Sequence, residues 1–222
     1  MSGINDFQTA RNWKSLFIPA QAFHIVGAGL LNAVPPTLQD VQVALGSVTD
    51  STYANALSQV STVKHVGFKM NTNGDTVNTL LPTIQDRDVM EPMYARVIWT
   101  TGSVTTADTI TWKMFIRTLS LNSTALSGTI NTALNTPIPQ DTVPTTTAYT
   151  LNATAKGTIN ANSAPVATRD STYMSLQIEM HAKAVGLSED VFFMGVELLY
   201  APHLLGTAYG QGNLPALPTS WQ

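Results

Sequence analysis

Alternation of apolar and polar residues over residues 109–117 is the feature that most constrains the fold of this chain. Apolar side chains recur at every second position, and mostly Thr or Lys fills the positions between them. This period of two is the pattern of a β-strand with one face in a core and the other face in solvent. The apolar positions are Ile110, Trp112, Met114 and Ile116. The pattern predicts an antiparallel strand.

The preceding stretch, residues 93–100, carries bulky side chains on both of its faces. Val97 and Trp99 fall on one face, and Tyr94 and Ile98 fall on the other. We expect one face to meet a second sheet and the other to meet a partner protein. A polar loop joins this strand to the next, so the two strands are predicted to form a hairpin.

A second hairpin is predicted around the dipeptide Asn73-Gly74. Residues 63–70 alternate before it, and residues 76–81 continue after it. This dipeptide tolerates the positive φ angles of a tight turn between paired strands. Residues 39–48 fit a strand or a short helix, and residues 53–60 favour one or two helical turns.

The last two clear strands close the domain. Residues 173–181 alternate without a break, whereas residues 191–200 are apolar on both faces, as expected of a central strand. A further strand is predicted over residues 145–155, with Tyr149 and Leu151 on one face.

These elements predict an all-β fold, an antiparallel β-sandwich with jelly-roll topology. We expect one sandwich domain over residues 24–200, between extended arms over residues 1–23 and 201–222. Both arms contain Pro or Gly together with apolar anchors, so we expect them to lie on neighbouring subunits; folding back on their own sandwich is the alternative. The anchors are Phe7, Trp13, Phe17, Leu204, Leu205, Tyr209, Leu217 and Trp221.

The composition favours a protein that buries much of its surface in an assembly. Charged residues are 11% of the chain, against roughly 25% in an average soluble protein. We therefore expect a symmetric homo-oligomer, a homotrimer; the alternative is a monomer solvated by Thr, Ser and Asn. The net charge of −3 and the scattered basic residues argue against direct nucleic-acid binding. We identify neither a signal peptide nor a membrane span.

The histidines and cysteines indicate no metal site. The chain has no Cys, and its four His residues lack the spacing that directs two imidazoles to one metal ion. The histidines are His24, His65, His181 and His203.

One acidic loop resembles part of a calcium-binding loop. It carries Asp86, Asp88 and Glu91, but Arg87 interrupts the acids and the Gly and distal Glu of such loops are missing. A salt-bridged loop is therefore predicted here.

No other motif indicates chemistry. Asn122 and Asn152 begin glycosylation-acceptor triplets, which are expected by chance in a Thr-rich chain. The closely spaced Gly206, Gly210 and Gly212 suit an extended arm better than a phosphate loop. We predict that the chain is not an enzyme, with no catalytic residue, cofactor-binding residue or metal ligand.

Three motifs resemble small virion structural proteins of tailed bacteriophages. They are the opening LFIPAQAF at residues 16–23 followed by Gly27-Ala28, the RVIWT strand at residues 96–100 with Thr111-Trp112, and the closing FFMGVELLY at residues 192–200. Arg169-Asp170 matches the family's Arg-Asp near the penultimate strand. The long Thr-rich span after Arg117 departs from the family's compact middle.

The resemblance implies a jelly-roll capsid component, a trimeric cement or decoration protein seated on an icosahedral shell. Its partners would be further copies of itself and the major capsid protein or other virion proteins, and it would be assembled into virions in the host cytoplasm. A single-jelly-roll major capsid protein and a tail or head-fibre component are the nearest alternatives. A carbohydrate-binding β-sandwich module is the alternative from another class.

Overall fold

The computed structural model describes residues 12–25, 36–44, 62–84, 86–88, 91–119, 134–137, 141–142, 148–159, 173–202 and 217–221. Thirteen strands and two short 3₁₀ helices lie in these ranges. In chain order they are β1 (Lys14–Pro19), η1 (Ala20–Ala22), β2 (His24–Ile25), β3 (Thr37–Ala44), β4 (Thr62–Met70), β5 (Asp75–Pro82), β6 (Met93–Thr101), β7 (Thr109–Leu119), β8 (Leu134–Pro137), β9 (Asp141–Thr142), β10 (Asn152–Ala153), β11 (Gly157–Ile159), β12 (Tyr173–Lys183), β13 (Val191–Tyr200) and η2 (Thr219–Trp221).

The strands form two antiparallel sheets that face each other across one core. Sheet I has the order β10-β6-β13-β4-β3, with β1 also paired to β13 and β11 also paired to β6. Sheet II has the order β2-β5-β12-β7-β8, with β9 also paired to β7. The predicted all-β antiparallel sandwich is confirmed.

At three points the chain crosses from one sheet to the other between consecutive long strands. The chain passes from β4 in sheet I to β5 in sheet II, from β6 to β7, and from β12 back to β13. The central strands of each sheet are therefore neighbours in space but distant in sequence. This arrangement is the topology of a jelly roll, as predicted.

Both predicted hairpins are wrong because of these crossings. The strand β4 pairs with β3 and β13, and the strand β6 pairs with β10, β11 and β13, so neither pairs with the strand that follows it. The same period of two arises whether consecutive strands lie side by side or face each other across a core, about 10 Å apart. Periodicity alone therefore cannot distinguish a hairpin from a corner between sheets.

A turn does form at Asn73-Gly74, but it makes a corner between the sheets. It is not the tight turn between paired strands that was predicted, because Asn73, unlike Gly74, does not have a positive φ. Gly74 has a φ of +93°, and its N–H donates to the carbonyl of Met180 over 2.7 Å. The buried carboxylate of Asp75 accepts hydrogen bonds from the N–H groups of Asn71 and Thr72, at 2.8 and 3.0 Å. These bonds satisfy the backbone where the chain leaves one sheet for the other.

Large side chains from both sheets fill the core. Trp99 of β6 and Trp112 of β7 are both fully buried. The ring of Phe193 lies between the two sheets, 6.1 Å from Trp112 and 4.9 Å from Phe23 between centroids. The predicted inward face of β7 is confirmed, because Ile110, Met114 and Ile116 are buried as well as Trp112.

The described part of the N-terminal segment folds on its own subunit. β1 pairs with β13 from Lys14↔Tyr200 to Pro19↔Gly195, and Ile18, Ala20 and Phe23 belong to the core. The alternative that this segment folds back on its own sandwich is therefore observed for residues 14–23, and the interpretation of these residues as an arm is wrong. Residues 1–11, with Phe7, lie outside the described residues.

Parts of the predicted C-terminal arm also contact the sandwich. Ala201 and Trp221 are buried, and Pro202 forms a bridge to Arg87. Apolar burial against the sandwich opposes the detachment of these residues. The anchors Leu204, Leu205 and Tyr209, the glycines of this segment and His203 lie outside the described residues.

The weaker strand predictions have mixed outcomes. Residues 39–48, predicted as a strand or a short helix, overlap β3, which is a strand from Thr37 to Ala44. The structure describes residues 148–155 of the strand predicted over residues 145–155, and within this part only Asn152 and Ala153 are in a strand. Tyr149 lies in a turn with a φ of +59°. This left-handed conformation is incompatible with the strand predicted there. The helical turns expected at residues 53–60 lie outside the described residues.

Candidate assembly surfaces

The structure does not bring the sequence-predicted histidines together. His24 lies on β2 in sheet II, His65 lies on β4 in sheet I, and both are exposed. His181 at the end of β12 places its Nδ1 atom 3.1 Å from a carboxylate oxygen of Glu179. In the part of the chain that is described, no three His, Asp or Glu side chains form a group able to hold a metal ion.

The acidic loop is salt-bridged, and it fastens β1 and the end of β13 to the sandwich. The ammonium of Lys14 donates to the carboxylate of Asp86, and this hydrogen bond lowers the pKa of Asp86 and raises that of Lys14. The hydroxyl of Tyr200 also donates to Asp86. The pKa of Tyr200 is raised, chiefly because the residue is partly buried. The N–H of Asp88 donates to the carbonyl of Ala201 over 2.8 Å. The salt-bridged loop predicted here is confirmed.

The structure argues against glycosylation at Asn152, the described one of the two acceptor positions. The side chain of Asn152 is buried in β10, where a glycan has no room. Asn122 lies outside the described residues. No helix within the described ranges combines the length and the apolar character needed to span a bilayer.

The outer face of β6 is covered by this chain's own side chains. The ring of Trp13 packs edge-on against Tyr94, with centroids 5.7 Å apart, and the guanidinium of Arg96 lies 4.3 Å from the ring centroid of Trp221. Arg96 also forms a salt bridge to Glu197, at 2.7 Å. The bulky outer residues of β6 therefore do not mark a free partner surface, contrary to the reasoning from sequence.

A small second apolar cluster lies further along the outer face of sheet I. Its members are buried and come from three strands, and Gly67 of β4 leaves space for one of them, the side chain of Met194. They are Val41, Ile98, Phe192 and Met194. This cluster adds to the burial on that face, so exposed apolar side chains must be sought elsewhere.

The first exposed apolar surface is β1. Leu16 is exposed, and Phe17 is 52% exposed although it lies in a regular strand. Among the described strands β1 pairs with β13 alone, so its second edge presents backbone N–H and C=O groups. An edge strand with apolar side chains is a template for pairing with another chain.

The second exposed apolar surface is one end of the sandwich, which we call the loop end. It consists of the β6–β7 loop (residues 102–108), the β12–β13 loop (residues 184–190) and the segment 148–151. Four large apolar side chains are exposed in it, namely Val104, Tyr149, Leu151 and Val185. No sequence motif predicted this surface. The one indication in the sequence was an isolated Val in each of the two polar loops, Val104 and Val185.

The outer face of sheet II is mostly polar. Strand register places Phe115, Gln177, Asn78 and His24 in one row across four strands. The hydroxyl of Ser175 donates to the Asn78 amide oxygen over 2.9 Å. Lys113 and Glu179 are opposite each other in the next row, so the two charges on β7 and β12 there cancel.

Comparison with known proteins identifies no family. No protein-family model and no curated protein matches the chain. Its fold is similar to that of two Clostridium thermocellum proteins, the CBM22-1 and GH10 modules of xylanase 10B (10% identity, TM-score 0.40, 84% of this chain and 27% of that one) and a family 30 carbohydrate-binding module of a cellulosomal cellulase (10% identity, TM-score 0.36, 83% and 96%).

A third similar structure is the enzymatically active domain of tailspike protein 4 of bacteriophage CBA120. The identity is 10% and the TM-score 0.30, over 87% of this chain and 19% of that one. The chain spans about a quarter of the xylanase chain and about a fifth of the tailspike chain. At these scores the similarity says nothing about ligand or partner.

Proposed function

We propose that this protein is a structural component of a bacteriophage particle, a cement or decoration protein that stabilises the icosahedral shell as a homotrimer. The motif resemblance suggests the class, and the exposed apolar edge strand β1 is the observation that carries the proposal. Leu16 and Phe17 are exposed on β1, whose second edge pairs with no strand among the described residues. Pairing of that edge within an assembly would bury the two apolar side chains and satisfy the backbone hydrogen-bonding groups of the edge.

The low charge of the chain supports the same proposal. Interfaces are depleted of charge at their centres, and several charges that the structure describes are already paired. Examples are Lys14 with Asp86, Lys69 with Asp190 and Arg96 with Glu197. A subunit with few free charges loses little hydration when its surface is covered.

The proposed mechanism is passive and needs no catalytic step. A protein that binds the closed shell, and not its separated parts, stabilises the shell by mass action. An interface of roughly 1,200–2,000 Å² is enough for specific attachment. Binding of the protein should therefore raise the melting temperature of the particle and slow its disassembly.

Reconstitution on particles tests the proposal. Particles stripped of this protein are mixed with purified wild-type protein, sedimented, and analysed for copy number and melting temperature. We expect saturable binding, a multiple of three copies per site and a higher particle Tm. Absence of co-sedimentation at micromolar protein would reject the particle role.

A matched pair of variants tests the role of β1 in self-association. Phe17→Lys places a charge on the edge strand, whereas Gln21→Lys places the same charge on an exposed position of η1, outside the strand. We expect native mass spectrometry to show trimers for Gln21→Lys and monomers for Phe17→Lys, because an edge Lys disfavours strand pairing. Equal oligomeric states for the two variants would exclude the β1 edge as the contact.

The polar face of sheet II favours a second candidate, a carbohydrate-binding module. In one row of this face, the amides of Gln177 and Asn78 are neutral donors and acceptors beside the ring of Phe115. This chemistry suits sugar hydroxyl groups and the apolar faces of sugar rings. A thermal-shift screen with neutral oligosaccharides tests it, with Gln177→Ala as the binding variant. A sugar-dependent rise in Tm that Gln177→Ala abolishes would favour this candidate over the particle role.

A further inference from the structure

A chemically labile dipeptide lies at the corner between β4 and β5. Asn73 is the only Asn in the sequence that is followed by Gly. In such a pair the main-chain nitrogen of the Gly can attack the side-chain amide of the Asn, because Gly has no side chain to obstruct the attack. Asn73 and Gly74 are both exposed, so water reaches the corner. A Cβ atom placed on Gly74 would meet nothing within 4 Å, so no packed group blocks the approach.

The reaction of this dipeptide needs only base and water. The Gly74 nitrogen loses its proton to base and forms a bond to the Cγ atom of Asn73. The bond from Cγ to Nδ2 breaks, and the leaving nitrogen takes up a proton and departs as ammonia, so a cyclic imide remains. Water then opens the ring. Attack of water at Cγ gives aspartate, and attack at the main-chain carbonyl carbon of Asn73 gives isoaspartate, in which the chain continues through Cγ.

Two hydrogen bonds to β12 oppose this reaction while the corner is closed. The N–H of Gly74 donates to the carbonyl of Met180 over 2.7 Å. A base takes this proton only after the bond has opened, as in amide hydrogen exchange. The side-chain oxygen of Asn73 accepts from the N–H of Lys183 over 3.1 Å, so the reacting amide is also held on β12. The reaction therefore requires the corner to open.

The buried carboxylate of Asp75 holds the corner closed. It accepts hydrogen bonds from the N–H groups of Asn71 and Thr72, at 2.8 and 3.0 Å, and the N–H of Asp75 donates to the carbonyl of Thr72 over 2.9 Å. These bonds tie together the residues on either side of the labile dipeptide. Hydrogen bonds to an ionised acceptor are stronger than those between neutral groups. Loss of this charge should therefore make the corner open more often.

We propose that Asn73 is a site of spontaneous deamidation and that opening of the corner at Gly74 sets the rate of this modification. The proposal does not depend on the particle role. Aspartate at this position keeps an oxygen that accepts from the N–H of Lys183. Isoaspartate instead adds an atom to the main chain and displaces the N–H of Gly74 from the carbonyl of Met180. Formation of isoaspartate therefore prevents the corner from closing again.

Peptide mapping by mass spectrometry during incubation at mildly alkaline pH tests the proposal. The rate of modification at Asn73 is measured for the folded wild type, for wild type unfolded in urea, and for two variants. Asp75→Asn loosens the corner, and Asp86→Asn is the matched control, because it makes the same substitution beyond the other end of β5. We expect the folded wild type to react about tenfold or more slowly than the unfolded chain. Asp75→Asn should react about tenfold faster than folded wild type, and Asp86→Asn at the wild-type rate.

Two results would overturn the proposal. If the folded wild type forms no product at Asn73 while the N–H of Gly74 exchanges with solvent, the modification site is rejected. If the folded and unfolded chains react equally fast, control by the corner is rejected. Should Asp75→Asn fail to fold, hydrogen exchange of Gly74 in wild type over a urea series replaces it. Deamidation rates that do not follow the exchange rates would then contradict the proposal.

The melting temperature of the products tests the consequence for the corner. Asn73→Asp carries the charge of the modified residue without a longer main chain, and it should melt near wild type. The purified isoaspartate fraction should melt below both proteins and should lose exchange protection at Gly74. An isoaspartate fraction that melts with Asn73→Asp would show that the corner closes despite the extra main-chain atom.

Discussion

Gly195 of β13 lies directly beneath the ring of Phe17 of β1. A Cβ atom at Gly195 would be 2.9 Å from two carbons of that ring and 2.5 Å from the carbonyl oxygen of Ile18. Gly195 has a φ of +152° and sits at a bulge in the pairing of β13 with β6. Because Gly195 has no side chain, β1 can pair with β13 over residues 195–200. This pairing begins just beyond residues 191–193, where β13 pairs with β4.

The first prediction concerns this contact. Gly195→Ala should lower the free energy of unfolding by about 2–4 kcal/mol, because the backbone is strained for Ala and the clash involves a carbonyl oxygen. Gly67→Ala is the control, since the nearest atom to its Cβ is the flexible Met194 sulfur at 2.6 Å and no positive φ is involved. Chemical denaturation measures both variants, and an equal loss for the two would contradict the role given to Gly195.

The second prediction concerns the core between the sheets. Trp112→Ala should lower the free energy of unfolding by about 3–5 kcal/mol, because a fully buried ring is lost. Trp112→Phe should cost less than half as much, since the buried indole N–H has no hydrogen-bond acceptor among the described residues. Urea titrations give both values, and a small loss for Trp112→Ala would mean that this side chain is not central to the core.

The inward faces of the long strands were predictable because apolar residues occupy the buried positions and polar residues mostly occupy the others. In β7 and β12 an apolar side chain at every second position has only one arrangement that hides it from water. Residue type does not show which strands pair with each other. The corner at Gly74 has the residues of a hairpin turn, and only the distant partner Met180 distinguishes it.

The surfaces were less predictable because they depend on contacts between distant parts of the chain. The face of β6 looks like an interface in sequence, but Trp13 and Trp221 from the two ends of the chain cover it. The loop end is the opposite case, because it does not look like a surface patch in sequence. Val104 and Val185 are single apolar residues in polar turns, and only the fold shows that the two turns are adjacent.

The third prediction is a pH dependence of the tether between β1 and the acidic loop. The pKa of Asp86 is lowered chiefly by the hydrogen bond from Lys14, so the stabilisation is complete above the ordinary pKa of 3.8 and is lost as the pH falls through the lowered value. On the alkaline side it persists to beyond pH 10.5, because the pKa of Lys14 is raised.

Asp86→Asn measures this tether. Because the pair is half-exposed, we expect Asp86→Asn to melt only about 1–2 °C below wild type at pH 7. The difference should shrink as the pH falls below the ordinary pKa of 3.8 and vanish once the pH has passed through the lowered pKa of Asp86, where the wild-type carboxylate is also neutral. Differential scanning calorimetry over this range provides the test, and a difference independent of pH would show that the ion pair contributes nothing.

The last prediction concerns the C-terminal segment, which we expected from sequence to add little to the isolated subunit. Trp221 is only 5% exposed and stacks on Arg96, which is itself paired with Glu197. Trp221→Ala removes the ring and exposes the guanidinium and the apolar surface beneath it. We therefore expect a loss of about 2–4 kcal/mol in the free energy of unfolding.

Three further variants separate the causes of that loss. Thr219→Ala changes an exposed residue of the same 3₁₀ helix and should be neutral. Arg96→Lys keeps the charge but loses the planar stacking, so it should be destabilised by about 1 kcal/mol. Deletion of residues 217–222 should resemble Trp221→Ala, because Trp221 is the buried residue among those of this segment whose burial the structure describes. A truncated protein with wild-type stability would restore the interpretation of this segment as an arm that serves only the assembly.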